Sequence, residues 1–242
     1  MKLAMWSGPR NLSTAMMYSF AQRKDFAVWD EPFYGAYLAV TGRDHPMREQ
    51  IIAAGEIDPG RVIAELIDPV HAEKPHFYQK HMTQHMIDGI DRDWLSKVIN
   101  VFLIRHPARV ISSYVAKLED PTLADIGFAQ QVELFDLVSD LGQPPIVLDS
   151  ADIRADPEAV MRKLCKAVGL EFDAAMLKWP KGGNPADGVW GAHWYGAVHR
   201  STGFAGAEGP LPELMGDYAA LAAAAMPYYQ RLQPFAQNFC QG

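Results

Sequence analysis

Two short clusters hold the residue types that bind anions. The first is Ser7-Gly8-Pro9-Arg10-Asn11-Leu12-Ser13-Thr14. A strand that runs into a tight turn and then a helix aims several backbone N–H groups, and the positive end of the helix dipole, at one point. Arg10 adds a fork of donors. Ser13 and Thr14 can cap the helix or bond an anion. Pro9, Arg10, Asn11, Leu12, Ser13 and Thr14 therefore suit a phosphate or sulfate cradle, although an ordinary capped turn would use the same residues. The Gly-Lys-Ser/Thr ending of a Walker A loop is missing, which argues against an ordinary ATPase or GTPase and against an essential magnesium ion.

The second cluster is Leu103-Ile104-Arg105-His106-Pro107-Ala108-Arg109-Val110-Ile111-Ser112-Ser113-Tyr114. Arg105 directly follows the most apolar strand. Ser113 lies about two helical turns further on, on a face that can look back toward the same ligand. Ligands of open parallel sheets bind beyond the carboxyl ends of the strands. Arg105 would then stand beside the first loop if the two strands are neighbours. The alternative use of such an arginine is to cap the sheet through a carboxylate.

The elements that position these clusters are read from periodicity. Strands are expected at 2–7, 26–29, 76–79, 98–104 and 145–148, and the fourth is apolar almost throughout, as a parallel strand buried on both faces should be. Helices are expected at 13–23, 33–40, 48–54, 61–67, 109–118, 128–141 and 157–168, with Asp58-Pro59 and Asp156-Pro157 as helix starts and Gly169 as a stop. Residues 181–209 are rich in Gly and aromatics without a period, and a loop of that length is usually functional or mobile. Residues 211–232 should form one or two helices. Alternating strands and helices imply an α/β chain: a three-layer α/β/α arrangement around a mainly parallel central sheet, with residues 1–242 as one domain.

Bulk composition narrows the function. Of 242 residues, 49% are hydrophobic and 21% charged, a globular balance. The net charge of −7 comes without any run of Lys and Arg, so a nucleic-acid partner is not expected, whereas a few aimed donors can still bind one small anion. Cys165 and Cys240 are far apart and in no metal-like spacing, which supports neither a disulfide framework nor a zinc site and suits a reducing compartment. The N-terminus is too short in apolar residues for a secretory signal, and the longest apolar run, 218–226, is about half of a bilayer span. A cytoplasmic protein without membrane attachment is expected; a homodimer is compatible with the sequence.

Taken together, the two clusters resemble the sulfotransferases that use 3′-phosphoadenosine 5′-phosphosulfate (PAPS), a family with a P-loop NTPase-like fold. In that family a basic residue, two spacers and a pair of hydroxyl residues after the first strand hold the 5′-phosphosulfate; Arg10-Asn11-Leu12-Ser13-Thr14 matches, with Arg where many members have Lys. The family's second signature, an Arg at a strand end and a Ser about eight residues later for the 3′-phosphate, is matched by Arg105 and Ser113. Val147-Leu148-Asp149-Ser150-Ala151-Asp152-Ile153, Pro157 and Leu164 to Leu170 are similar to the stretch before the family's penultimate helix, so the resemblance covers about residues 2–172. The family's late Gly-rich loop brings a further Arg or Lys to the 3′-phosphate; here only Arg200, in Val198-His199-Arg200-Ser201-Thr202-Gly203, could do so, and the match is loose.

The resemblance implies sulfuryl transfer from PAPS, without a metal, to a hydroxyl or amine of a small acceptor. The acceptor must lose a proton, and the charge developing on the leaving phosphate must be stabilised. Glu31, at the end of the second strand, occupies a place comparable to the carboxylate of some sugar sulfotransferases; beside Pro32 it could equally be a helix N-terminal acid, and Asp30 is the lesser option. Lys80 and His81, read as following the third strand, stand near the family's Lys and His for leaving-group stabilisation and base, but adjacent rather than spaced by one. His85, one helical turn on, could substitute for His81. Without a third ligand, Lys-His-x3-His is not a metal signature. Trp190, His193, Trp194, Tyr195 and Phe204 could cover the acceptor or the adenine, or form a satellite core. The acceptor-side segments match no subclass. A P-loop kinase or other phosphotransferase, and a nucleotide-binding protein without catalysis, are the alternatives.

Overall fold

A computed structural model describes residues 1–68, 73–116, 120–143 and 145–241. Five strands alternate with eleven helices among them: β1 (Lys2–Ser7), α1 (Ser13–Ala21), β2 (Phe26–Asp30), α2 (Tyr34–Thr41), α3 (Arg48–Ala54), α4 (Pro59–Leu66), β3 (His76–Met82), β4 (Ile99–Ile104), α5 (Pro107–Tyr114), α6 (Phe128–Asp140), β5 (Ile146–Asp149), α7 (Ser150–Ala155), α8 (Pro157–Ala167), the one-turn α9 (Gly191–Trp194) and α10 (Gly196–His199), and α11 (Gly216–Gln241). The expected C-terminal end of the fifth helix, at Leu118, lies outside the described residues.

The strands form one parallel sheet in the order β2-β3-β1-β4-β5. Side chains alternate between its faces, as period two requires. On β1, Ala4 and Trp6 join a core with α4, α5, α6 and α11, whereas Leu3 and Met5 join a core with α1 and α8. Helices therefore cover both faces, the three-layer arrangement that buried strands demand. β1 is central. The chain moves from it to β2 and β3 on one side, then crosses to β4 and β5 on the other, so its direction reverses about β1.

The structure corrects three local expectations. β3 runs to Met82, so Lys80 and His81 lie within the strand rather than after it; their polar character hides a strand whose side chains are buried from Phe77 to Met82. The last helix starts at Gly216 and continues to Gln241 through Pro227 and Pro234. Each proline removes one helical hydrogen bond, but Ala225, Tyr229, Leu232 and Ala236 pack into the core on either side of them, which holds the helix together. Residues 181–209, expected to lack structure, contain α9 and α10 and pair with the body of the chain through the Lys178–Gly203 bridge.

Candidate active site

The site lies at the carboxyl ends of β1, β3 and β4. Register sets it: Ser7 pairs with Met82 and with Leu103, and Asp30 pairs with Lys80, so the segments that follow β1, β2 and β4 emerge side by side. They line a cavity of about 320 Å³ together with Tyr34, His45, His85, Arg154, Trp194 and Tyr195.

The first loop approaches α6 closely. A Cβ on Gly8 would sit 2.3 Å from the Ile126 carbonyl oxygen, so no larger residue fits. Arg10 and Leu12 both adopt positive φ, 65° and 72°, a conformation costly for branched or long side chains. The strained turn brings Leu12 to the N-cap of α1, where no side chain caps the helix. Neither Ser13 nor Thr14 caps it, because both already lie in its first turn. Asn11 Nδ2 donates to the Leu103 carbonyl and anchors the loop on β4, while the buried Asn11 Oδ1 has no partner. The opening of α1 thus presents uncapped amides and a positive dipole to the cavity.

Arg10 and Arg105 meet there. Arg105 Nη1 donates to the Arg10 carbonyl at 2.8 Å, and Arg10 Nε donates to Ser113 Oγ at 2.9 Å. Burial, then the nearby Arg105 charge, pulls the Arg10 guanidinium below its ordinary pKa. An opposite charge between the two guanidinium groups would offset both effects. Arg105 also grips a carboxylate, that of Glu208, which it shares with Arg109 and Arg154. Arg105 thus caps a carboxylate while standing beside the first loop at the cavity wall. Arg200 caps the C-terminus of α10 on the exposed surface and does not line the cavity.

At the other end of the cavity stands a buried acid–base network. Lys80 Nζ donates to Asp30 Oδ1 at 2.9 Å, to Glu31 Oε1 at 2.5 Å and to the Tyr195 hydroxyl at 2.8 Å. Tyr195 donates toward Asp30 and lies 3.0 Å from Glu31 Oε1; Trp190 Nε1 and the Gly188 amide complete the set. Lys80 and Asp30 are almost fully buried, and Glu31 borders the cavity with a strained φ of 44°. Burial works against the Lys80 ammonium, but Asp30 and Glu31 together outweigh it and raise its pKa. Two carboxylates share that one cation, so the cluster carries a net negative charge. Burial, only partly opposed by Lys80, pushes Asp30 up to about 6.

The histidines separate. His85 lines the cavity, stacked between Tyr34 and Tyr37 at 4.6 and 4.8 Å. Burial holds its pKa well below the ordinary value, so it is neutral, and its Nδ1 has no partner. His81 points to the opposite face of the sheet, stacked on Trp6 at 4.3 Å and flanked by Phe33 and Trp94. Period two on β3 puts it there: Lys80 and His81 are adjacent, so they cannot share a face. The reading of His81 as a base is corrected on that ground. Among the aromatics, Trp190 and Tyr195 pack in a satellite core with Tyr34 and Tyr37, Trp194 borders the cavity, and Phe204 packs on Trp179.

Arg109, Arg154, Glu208, Tyr34 and His45 escaped the sequence reading. Arg109 had a signal, as the second arginine of Arg105-His106-Pro107-Ala108-Arg109. The others had none, because they reach the site from separate elements.

Fold and site together make a parallel α/β/α chain whose strand ends gather arginines, uncapped helix amides and a buried carboxylate–lysine cluster. The sequence profile of the family described as "Sulfotransferase domain" matches residues 1–236, and the chain belongs to that family. Solved structures share the fold: the sulfotransferase domain of the Synechococcus PCC 7002 olefin synthase (17% identity, TM-score 0.54, covering 92% of this chain and 93% of that one), the sulfotransferase domain from the curacin biosynthetic pathway (15%, 0.53, 94% and 97%) and a sulfotransferase from Alicyclobacillus acidocaldarius (14%, 0.56, 98% and 95%). Two Arabidopsis thaliana proteins, named branched-chain-amino-acid aminotransferase-like proteins 1 and 2, are 38% and 37% identical over 199 residues, 82% of this chain. The chain spans only 36% and 35% of their lengths.

Proposed function

We propose that the chain transfers a sulfuryl group from PAPS to a hydroxyl or amine of a small acceptor, as one catalytic domain acting without a metal. The observation that carries this reading is the meeting of Arg10, Arg105, Ser113 and the uncapped start of α1 on one side of a cavity whose other side holds Glu31 and Lys80. The residues fit an anionic donor, because the arginines already bind a carboxylate and the α1 amides have no cap. Residues 9–14 would hold the 5′-phosphosulfate, and Arg105 with Ser113 the 3′-phosphate; the bound donor supplies the activated sulfuryl group.

The chain's own groups then have separate tasks. Glu31 accepts the acceptor's proton as the new oxygen–sulfur (or nitrogen–sulfur) bond forms. The α1 amides and Arg10 stabilise the charge that develops on the phosphate oxygen as its bond to sulfur breaks. Lys80 and Tyr195 hold Glu31 in place, a positioning role that their hydrogen bonds to Oε1 support. His85, neutral and beside the same cavity, is the second candidate base. Among the described residues no helix is long and apolar enough to cross a membrane.

Thermal melting with adenosine 3′,5′-bisphosphate tests the donor. A ligand at about 100 times its Kd should stabilise the protein by about 2.7 kcal/mol, and Arg105→Ala should abolish the shift. Equal stabilisation by ATP with none by the bisphosphate would overturn the reading.

A further inference from the structure

The carboxylate of Glu208 stands in a setting built for a stronger anion. It receives Arg105 Nη2 at 2.5 Å, Arg154 Nη1 at 2.8 Å and Arg109 Nε at 2.8 Å, and its side chain is 3% exposed. Three cations face one monovalent group, so the cluster keeps a surplus of two positive charges. Burial alone would raise the Glu208 pKa; the bond from Arg105 and the charges of all three arginines hold it below the ordinary carboxylate value.

The segment that carries Glu208 has little else to fix it. Upstream, the loop is pinned by the Asp187 contacts to Tyr18 and His199, by the Trp179–Thr202 backbone bond and by the Lys178–Gly203 bridge. From residue 205 to 211 the hydrogen bonds among the described residues come only from the same arginines: Arg154 Nε to the Gly206 carbonyl at 2.9 Å, Arg109 Nη2 to the Gly209 carbonyl, and those of Arg105 and Arg154 to Glu208 Oε1, while Arg109 adds an ion pair at Oε2. The flanking residues Ala205, Gly206, Ala207, Gly209, Pro210 and Leu211 are all exposed. The strap is thus held through one arginine cluster, with a glycine on either side of Glu208, so an anion bound by those arginines would compete with its polar anchors.

We propose that Arg109 and Arg154 join Arg105 in binding the terminal phosphate of the donor, and that Glu208 is an internal counter-ligand which occupies this arginine cluster until the phosphate displaces it. The exchange breaks no covalent bond. It replaces a carboxylate by a phosphate monoester that brings more negative charge and three acceptor oxygens to the same donors. In return, Glu208 weakens the hold on the spent nucleotide and lets strap and nucleotide alternate. The identity of the phosphate rests on the donor reading above; the exchange of Glu208 for an anion does not.

Two measurements test the inference separately from that reading. The first uses the wild-type chain and a glutamate-specific protease, with cleavage after Glu208 read against cleavage after the exposed Glu213. Inorganic pyrophosphate should raise the 208-to-213 ratio several-fold over sodium chloride of equal ionic strength; an unchanged ratio overturns the exchange. The second is titration with adenosine 3′,5′-bisphosphate. Apparent affinity falls with the fraction of competent sites, so Glu208→Gln should bind about five-fold tighter or better and Arg154→Gln at least five-fold weaker. Unchanged or weaker binding by Glu208→Gln, in a variant that melts as the wild type does, refutes the counter-ligand while leaving the donor reading intact. No bisphosphate binding to any variant, with pyrophosphate still exposing residue 208, refutes the donor reading and leaves the exchange standing.

Discussion

Replacing Lys80 by methionine isolates the energetics of the buried network. The substitution keeps an unbranched chain of similar length and removes a charge. Asp30 Oδ2 and Glu31 Oε1 then face each other across the Tyr195 hydroxyl, from which they lie 2.8 and 3.0 Å, with no cation between them. Breaking a buried pair by deleting one partner costs about 3–5 kcal/mol, because the remaining charge is left uncompensated. For a chain of this size each kcal/mol corresponds to about 2–4 °C, so Tm should fall by about 6–20 °C at pH 8. The cost must also depend on pH. Burial already holds Asp30 up at about 6. A carboxyl whose folded pKa is raised favours folding while protonated, and that share is lost as pH rises from its ordinary value near 3.9 through the folded one. Deleting Lys80 removes the charge that opposes the rise. The penalty of Lys80→Met should therefore be smallest near pH 5 and grow toward pH 8, and Asp30→Asn should recover part of it in the double variant. Urea unfolding of the four proteins at both pH values measures all three quantities. A penalty below about 1 kcal/mol, or one that is equal at pH 5 and pH 8, would refute the reasoning.

Further outcomes follow from single contacts. Gly8→Ala forces a methyl against the Ile126 carbonyl, 2.3 Å from its ideal Cβ position, and should cost about 1–3 kcal/mol in urea unfolding while reducing the thermal shift by the bisphosphate. Glu31→Gln should lower turnover about 10²–10⁴-fold and keep that thermal shift; retained turnover would move the base to His85. His81, neutral in the core, is held down at about 3 by burial. Its contribution is full above its ordinary pKa of about 6.5 and is lost as pH falls below it, by about 2 kcal/mol at pH 5. His81→Phe should remove that share of the acid loss in unfolding titrations and leave turnover at pH 7 in place, since the ring lies outside the cavity.

The sequence by itself determined the frame. The apolar runs of β1 and β4, the Asp-Pro helix starts at 58–59 and 156–157 and the stop at Gly169 are local signals, and the structure carries each at its expected place. The segments after β1 and β4 were legible for the same reason: a strand, a turn and a helix within a dozen residues leave little freedom in where the donors point. Tertiary structure alone decided what faces what. Burial of β3 on both faces extended the strand through Lys80 and His81, and alternation then sent one to the acids and the other to Trp6. The convergence of Arg105, Arg109 and Arg154 on Glu208, about 50 to 100 residues apart in the chain, leaves no periodic trace. Such contacts arise from the order in which strands pair and helices cover them, and no spacing along the chain encodes that order.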